Sequence, residues 1–312
     1  MKGIIQIMKE DKYLDLLEQI NLYYGIVFDK FELVRDWIGQ VYVGIHNNIR
    51  YIVKVFRTQH TKEALQAIEV MAYLKNNEFN IPGIYNTLQG SKYFVYHHHM
   101  VVLYEYILGE DMEKAGNLTE VGLLYGQMRK SMIAYADHIT RHGYEFFIER
   151  YLNIMKKKEY QGIDKYINLG NYLWEKVKGL PYGFIHGDFH SGNMILNRDK
   201  ITVFDFDACA NASPVYDIAT YCDASDYFDL SDYNFDYSFS QTKMNVKKFL
   251  EGYERNFTLT KEEEKAIYYF IAIRHFDIQA TIIDCQGINC VNEIFFDNQY
   301  VWLEKWMNHL NS

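Results

Sequence analysis

The sequence lacks the features that mark several classes of protein. Only 4 of its 312 residues are cysteine, at Cys209, Cys222, Cys285 and Cys290, and no two of them form a CxxC pair. This spacing gives no zinc-site pattern and no disulfide framework, so we expect reduced thiols in a cytoplasmic protein. Proline is also scarce, with 3 residues, and we attach no function to its scarcity.

Long apolar runs and an excess of basic charge are missing too. No apolar stretch approaches the roughly 20 residues of a membrane-spanning helix, and the run around residues 4–7 is too short for a signal peptide or an anchor. The formal net charge is −9, whereas nucleic-acid-binding proteins usually carry a basic face. We therefore expect neither a membrane nor a nucleic acid among the partners.

The composition that remains is that of a folded globular protein. Hydrophobic residues make up 49% of the chain and charged residues 23%, and disordered chains contain fewer apolar residues than this. A chain of 312 residues is long enough for one large core or for two lobes that share a cleft.

The pattern of apolar residues changes near residues 105–109. Before this point, β-rich segments such as 31–34, 41–45 and 51–56 accompany two helical stretches, over 10–24 and 61–77. After it, long helical stretches dominate. They cover residues 119–136, 145–158, 164–178, 243–255 and 261–284. The sequence therefore predicts an α+β protein with a small β-rich N-terminal lobe (1–104), a hinge (105–109) and a larger, mostly helical C-terminal lobe (110–312).

Polar residues suited to phosphate transfer gather between residues 183 and 207. The segment HGDFHSGN, residues 186–193, lies between short predicted strands, and DFD, residues 205–207, follows another strand. Phosphate transfer needs a carboxylate that orients the attacking hydroxyl and oxygen ligands that hold Mg²⁺. Asp188 suits the first role, and Asn193 and Asp205 suit the second.

These motifs resemble the aminoglycoside phosphotransferase and choline kinase-like superfamily, in which His-Gly-Asp-x-x-x-x-Asn is followed by Asp-x-Asp. The resemblance implies a two-lobed, protein-kinase-like fold that binds ATP, or alternatively GTP, together with Mg²⁺. It implies that Asp188 is the catalytic base, that Asn193 and Asp205 bind the metal, and that His186 braces the catalytic loop. Asp207 matches the second acid of the family motif, and we leave it open between metal ligand and structural acid.

Other segments follow the order of this family along nearly the whole chain. Lys54 lies on a predicted strand and Glu69 on the next predicted helix. They resemble the lysine–glutamate pair through which a kinase fold contacts the α- and β-phosphates. Glu105, Tyr106 and Ile107 resemble the hinge, whose backbone groups meet adenine.

The first predicted hairpin departs from the family pattern. Relatives usually carry a turn rich in Gly, Ser or Asn over the phosphates, whereas residues 37–42 contain only Gly39. Gly39 is our candidate for a phosphate contact, and the thin turn weakens the case for a tight phosphate cradle.

The resemblance predicts an ATP- and Mg²⁺-dependent small-molecule kinase whose acceptor is a hydroxyl group of an aminoglycoside, homoserine, choline or a related metabolite. One alternative is an inactive, kinase-like binding or structural protein of the spore-coat type. A second is a metallohydrolase, because His186, Asp188 and His190 would share one face if they lay on a strand. The sequence identifies neither the acceptor nor the oligomeric state.

An acidic, aromatic segment follows the motifs. Its acids are Asp223, Asp226, Asp229, Asp232 and Asp236, and four aromatic residues are interleaved with them. We favour a solvated loop between helices. The alternative is a rim that attracts a cationic substrate by Coulomb attraction and cation–π contact.

Overall fold

A computed structural model describes residues 14–112, 117–227, 230 and 234–311. The chain divides into two compact units. The first unit runs to Glu110 and adds Ile195–Asp207, and the second comprises Asp111–Met194 and the chain from Ala208 onward. The first unit therefore includes residues 195–207, which were predicted to belong to the C-terminal lobe.

The first unit is built on a five-stranded antiparallel sheet in the order β1-β2-β3-β5-β4. Its strands are β1 (Lys30–Asp36), β2 (Gly39–His46), β3 (Ile49–Phe56), β4 (Phe94–Tyr96) and β5 (His99–Glu105). Two helices accompany the sheet, α1 (residues 14–24) and α2 (Thr61–Asn76). Helix α1 packs Leu16 and Ile20 into a buried cluster with Val53 and Val55 of β3. Since side chains alternate along a strand, Ile52 and Lys54 lie on the opposite face.

A tight turn fixes the register of β2 and β3. Asn47 and Asn48 have φ of 50° and 63°, a conformation that asparagine tolerates and that two-residue hairpin turns require. The resulting register places Val41 opposite Lys54.

A second hairpin completes the first unit. Strands β8 (Met194–Asn197) and β9 (Lys200–Val203) pair with the short strand β6 (Glu110–Asp111) in the order β6-β8-β9. Asn80 holds this hairpin, because its side-chain amide donates to Ile201 O at 3.1 Å and to Thr202 Oγ1 at 2.6 Å. These bonds explain why residues 195–207 belong with the first unit.

The second unit is mainly helical. Its helices are α3 (Leu118–Ser131), α4 (Arg150–Lys157), α5 (Ile163–Val177), α6 (Val215–Cys222), α7 (Phe235–Tyr253), α8 (Lys261–Gln286) and α9 (Glu293–Asn311). Strands β7 (Gly183–Ile185) and β10 (Ala210–Ala212) form a small antiparallel pair. Helix α8 begins at a capping box formed by Thr260 and Glu263 and is buried along most of its length. None of the described helices is both long and apolar enough to cross a membrane.

Helices α3 and α7 touch through their backbones. A Cβ atom on Gly252 would overlap the carbonyl oxygen of Thr119, and one on Gly122 would overlap that of Phe249. Only glycine permits this approach. The predicted α+β class, with a small β-rich N-terminal part and a larger helical C-terminal part, is confirmed.

Candidate active site

One face of the sheet in the first unit borders a cavity of about 360 Å³. Most of its wall is apolar. Val34, Val41, Ile52, Met71, Ile107 and Ile195 contribute to it. Charged side chains join them at Arg35, Lys54, Asp205 and Asp207. An apolar slot with a few convergent polar groups is typical of a small-molecule site.

The charged side chains form a compact cluster. Lys54 Nζ lies 2.7 Å from Asp205 Oδ1 and 2.5 Å from Asp207 Oδ2, and Arg35 Nη2 lies 2.9 Å from Asp205 Oδ2. Burial alone would lower the pKa of Lys54, but the two carboxylates outweigh it and hold that pKa above its usual value. Burial opposes ionisation of Asp205, yet Lys54 and Arg35 lower its pKa to about 2. Asp205 is therefore a carboxylate and Lys54 an ammonium at neutral pH.

The backbone at Asp205 is strained. Its φ is 65°, in the left-handed region that costs a non-glycine residue about 1–2 kcal/mol. One residue, Phe204, separates Asp205 from the end of β9. The Asp205 carboxylate lies against the Lys54 ammonium, which Asp207 also contacts. Strain of this kind is concentrated at functional positions.

The described structure does not pair Glu69 with Lys54, so its predicted role stays a prediction. Its side chain is on the exposed side of α2, whereas Met71, two positions further on, lines the cavity. Two positions on an α-helix are separated by roughly 160° around its axis, so both side chains cannot face the cavity. Among the described residues, Lys54 forms its ion pairs with Asp205 and Asp207 and forms none with Glu69.

Gly39, predicted to contact phosphate, is not among the described residues that line the cavity. It is the first residue of β2, where a Cβ atom would lie 2.7 Å from the carbonyl oxygen of Val55. Trp37 and Ile38 alone connect β1 to β2, and Trp37 N donates to Gly39 O at 3.1 Å. Gly39 is needed for strand contact, and the hairpin contains no glycine-rich loop.

The three predicted hinge residues all line the cavity, at Glu105, Tyr106 and Ile107. Glu105 is committed to the preceding segment, since its N–H donates to Gly83 O at 2.8 Å and its carboxylate accepts from Gly83 N at 2.9 Å. Within the described part of the chain, the N–H groups of Tyr106 and Ile107 donate to no partner. These two groups can therefore meet the edge of a base.

The catalytic-loop motif belongs to the second unit and begins at β7. Gly187 has φ of 82°, and a Cβ atom there would overlap the carbonyl oxygen of Ala208. The N–H groups of His186 and Gly187 donate to the buried Asp217 carboxylate on α6, at 2.5 and 3.0 Å. Burial raises the pKa of Asp217 to about 7 despite these donors. The His186 side chain is fully buried, so it can brace this loop and cannot touch a substrate.

Three donors hold the carboxylate of Asp188, whose side chain is 36% exposed. Arg274 Nη2 lies 2.6 Å from Oδ1, while Asn193 Nδ2 and His190 Nε2 lie 3.1 and 3.3 Å from Oδ2. His190 Nδ1 accepts from Gly192 N at 3.1 Å, so the ring proton is on Nε2 and points to Asp188. Burial opposes ionisation, but His190 and Arg274 hold the pKa of Asp188 far below its usual range.

Arg274 on α8 was not among the predicted site residues. Its Nη1 donates to Tyr216 Oη at 2.5 Å, to Gly187 O at 3.2 Å and to Asp277 Oδ2 at 3.3 Å. Asp277 in turn accepts from Arg150 at 2.6 Å. The one available signal in the sequence is that Arg274 interrupts an apolar run that the structure buries along α8.

Each unit, taken by itself, contains oxygen donors of the kind that a hard divalent cation prefers. The carboxylates of Asp205 and Asp207 already converge on one positive charge, and Asn193 uses its Nδ2 on Asp188, which leaves its amide oxygen. Mg²⁺ prefers such oxygen ligands and usually binds phosphates as well. No group of three or more His, Cys, Asp or Glu side chains arranged for a metal occurs among the described residues. In the first unit, the carboxylates of Asp205 and Asp207 therefore suit a cation that shares its coordination with phosphate.

Comparison with known families agrees with this chemistry. The family model for APH, the Phosphotransferase enzyme family, matches residues 32–243. The chain belongs to this family. The predicted family and the predicted enzyme class, a phosphotransferase, are thereby confirmed. A search of the curated proteins gives no match.

Several solved kinases share the fold of this phosphotransferase. Amicoumacin kinase hAmiN, in complex with AMP-PNP, Ca²⁺ and Ami, is 19% identical over 96% of each chain, with a TM-score of 0.75. The microcompartment-associated aminopropanol kinase is 15% identical over 94% of this chain and 95% of that chain, with a TM-score of 0.71. Choline kinase LicA from Streptococcus pneumoniae is 14% identical over 96% and 99%, with a TM-score of 0.63. The predicted kinase-like fold is confirmed.

The metallohydrolase alternative does not fit the arrangement in this phosphotransferase. It required His186, Asp188 and His190 to share one face of a strand. The residues form a loop instead, in which the side chain of His186 is fully buried and that of His190 is 42% exposed. The two rings therefore cannot converge on one metal ion with Asp188.

The acidic segment is only partly described, since Asp229 and Asp232 lie outside the described residues. The Asp223 carboxylate accepts from Ser225 N and Ser225 Oγ, both at 2.9 Å, and from Tyr227 Oη at 2.7 Å. Asp223 thus holds its own loop. Asp236 Oδ1 lies 3.3 Å from His309 Nε2. Asp223 and Asp236 therefore both have partners within the protein.

Proposed function

We propose that this phosphotransferase is an ATP- and Mg²⁺-dependent kinase that transfers the γ-phosphate to a hydroxyl group of a small molecule. The observation that carries the proposal is the apolar cavity with Lys54, Asp205 and Asp207 in its wall. Its apolar part suits a purine ring, and its charged part suits a phosphate chain that carries a metal ion.

The residues of the first unit would bind the nucleotide. The N–H groups of Tyr106 and Ile107 would meet the base, and Lys54 would contact the phosphates. ATP is the proposed donor, and GTP remains the alternative. Asp205, Asp207 and Asn193 would hold Mg²⁺, which would neutralise negative charge on the phosphates.

Asp188 would orient the acceptor hydroxyl. A carboxylate whose pKa is far below its usual range is a weak proton acceptor. It can still accept a hydrogen bond from the hydroxyl and align the oxygen with the phosphate. Early proton removal is not needed when phosphate transfer passes through a loose transition state. Arg274 and His186 would support this role by holding Asp188 and its loop.

A small alcohol that also carries a nitrogen is the acceptor class we propose. Two of the structural relatives are named for such compounds, aminopropanol and choline. The net charge of −9 favours a cationic ligand over an anionic one.

The test combines nucleotide binding with turnover. Titration calorimetry with AMP-PNP and Mg²⁺ should show binding, and ADP release should rise above the acceptor-free rate for one member of a panel of choline, ethanolamine, aminopropanol, homoserine and aminoglycosides. Asp188→Asn should abolish that rise while AMP-PNP still binds. The same titration is repeated with the GTP analogue GMP-PNP. Absence of binding for both analogues would contradict the proposal and favour the inactive, kinase-like alternative.

A further inference from the structure

We infer that Arg35 contacts the nucleotide phosphates directly and takes the place of the glycine-rich turn that this chain lacks. The inference rests on the proposed kinase function, because it assumes that the cavity in the first unit binds a nucleoside triphosphate. It adds a binding residue on β1 that no motif in the sequence indicates.

The β1–β2 turn cannot cradle phosphates with backbone N–H groups. Only Trp37 and Ile38 connect the strands. The N–H of Trp37 already donates a hydrogen bond to Gly39 O at 3.1 Å. The backbone of Gly39 packs so closely on β3 that a Cβ atom there would lie 2.7 Å from the carbonyl oxygen of Val55. A loop that binds anions needs several N–H groups turned toward one point, and this tight turn does not provide them.

A bulge in β1 turns Arg35 into the cavity instead. The register of β1 on β2 shifts between Leu33, opposite Tyr42, and Arg35, opposite Val41. Val34 and Arg35 are consecutive, yet both line the nucleotide cavity. Leu33 and Asp36 line a separate cavity together with Tyr42 of the α1-facing cluster. Strict alternation would send Val34 and Arg35 to opposite faces, and bulges are known to re-aim side chains in this way.

Arg35 has hydrogen-bond donors to spare. Its Nη2 donates to Asp205 Oδ2 at 2.9 Å, which is its one hydrogen bond within the described chain, and its side chain is 54% exposed. Lys54 is 8% exposed and spans two carboxylates. A guanidinium is a planar fork of five donors that matches phosphate oxygens. Arg35 can therefore bind a phosphate while it keeps its ion pair with Asp205, in addition to the phosphate contact proposed for Lys54.

The chain offers a matched control at the same end of the sheet. Arg57 follows β3 and donates to Asp36 at 3.4 Å. Its side chain is 36% exposed, and it is not among the described residues that line the nucleotide cavity. Arg57→Gln removes the same charge as Arg35→Gln without touching the proposed contact.

Titration calorimetry on the full-length protein tests the inference. For Arg35→Gln we expect AMP-PNP and ADP to bind about 10- to 100-fold more weakly, as for the loss of a charge-assisted hydrogen bond. Adenosine should bind as it does to the wild type. Arg57→Gln should change none of the three affinities by more than about twofold, and Arg35→Lys should recover part of the loss.

A second arm separates direct contact from an effect through Asp205. ADP binding is measured in Mg²⁺ and again in EDTA. A direct contact predicts that Arg35→Gln weakens ADP binding in both buffers, whereas an effect that acts only on metal binding predicts a loss in Mg²⁺ alone. Equal affinities in the Arg35→Gln and Arg57→Gln proteins, or a loss restricted to Mg²⁺, would overturn the inference. Failure of the wild type to bind any nucleotide would instead overturn the proposed function on which it rests.

Discussion

Arg274 binds Asp188 at 2.6 Å while Gly187, Tyr216 and Asp277 hold the other end of its guanidinium. Lysine can keep the charge but cannot reach these acceptors together, because it lacks the planar fork. We expect Arg274→Lys to reduce kcat by about 10- to 100-fold, since small misplacements of a catalytic group have effects of this size. The affinity for AMP-PNP should be unchanged. Steady-state kinetics and calorimetry on the same protein measure both.

Arg150→Lys is the control for this prediction. Arg150 contacts Asp277 in the same network, at 2.6 Å, but does not contact Asp188. Its replacement should change kcat much less. Wild-type kcat in Arg274→Lys would show that Asp188 does not depend on Arg274 for its orientation.

His275 predicts a pH dependence of stability. Its fully buried ring stacks on Trp302, with centroids 3.9 Å apart, and neither ring nitrogen has a hydrogen-bond partner in the described structure. Burial, assisted by the charge of Arg274, lowers the pKa of His275 to about 3. In the unfolded chain the His275 imidazole binds a proton as the pH falls below about 6.5, whereas in the native chain it stays neutral until the pH is near 3. Stability is therefore lost as the pH falls below about 6.5, at about 1.4 kcal/mol per unit.

His275→Phe should remove this contribution. Between pH 7.5 and pH 5.0, we expect the wild type to lose about 2 kcal/mol more of its unfolding free energy than the variant does. Urea denaturation at the two pH values measures the difference. His138→Gln, at an exposed position, should keep the wild-type slope, and a His275→Phe protein with that same slope would contradict the assignment.

The residues that the sequence could locate are those in contiguous motifs. Asp188, Asn193 and Asp205 lie within two short segments whose residue types match their chemistry, and the structure places each beside a polar partner. Arg35 was missed because a bulge in β1, which leaves no local pattern in the sequence, turns its side chain into the cavity of the first unit. The helix that carries Arg274 was predicted, but its pattern does not show that the Arg274 side chain reaches Asp188. Glu69 was assigned by its order along the chain, which does not reveal the face of a helix on which a side chain lies.

At the scale of whole elements, the contact between α3 and α7 depends on glycine. The Cβ atom in Gly252→Ala would overlap backbone atoms of Thr119 and Leu123, and backbone atoms cannot rotate away as a side chain can. We expect this variant to lose about 1–3 kcal/mol of unfolding free energy, a typical cost of overpacking. Urea denaturation tests it.

Gly179→Ala is the matched control, because no atom of the described structure, apart from its own residue and its neighbours along the chain, lies within 4 Å of the position its Cβ would take. It should be nearly neutral. Equal stability of the two alanine variants would mean that α3 and α7 can separate without loss.

Element positions were easier to predict than element partners. Strands β1, β2 and β3 and helices α3, α5 and α8 occur close to where apolar spacing predicted them. Alternation cannot show the bulge in β1, since Leu33 and Val34 are both apolar. Likewise, nothing local in the β8–β9 sequence shows that Asn80 binds it.

At the scale of the molecule, the four cysteines report on how tightly the second unit is packed. None of these four described residues forms a disulfide; Cys209 and Cys222 are buried, Cys285 is intermediate and Cys290 is exposed. Burial raises the pKa of Cys222 well above its usual value and so suppresses the reactive thiolate. With Ellman's reagent, we expect Cys290 to react first and Cys209 and Cys222 only as the unit opens.

Cys290→Ser should remove the fast phase and leave the slow phases unchanged. The slow rates should rise with urea, because reaction then follows opening of the native structure. Rapid reaction of all four thiols in buffer would contradict the burial of Cys209 and Cys222.

The interrupted course of the first unit has a consequence for synthesis on the ribosome. Its chain leaves at Glu110 and returns only for Ile195–Asp207. Domains generally fold in the order in which they emerge, N-terminal parts first. Here the earliest strands must wait for residue 207 of 312 before Asp205 and Asp207 can join Lys54. A nascent chain stalled before that point holds Lys54 in its sheet without these two carboxylates, and gains them only after residue 207 has been added.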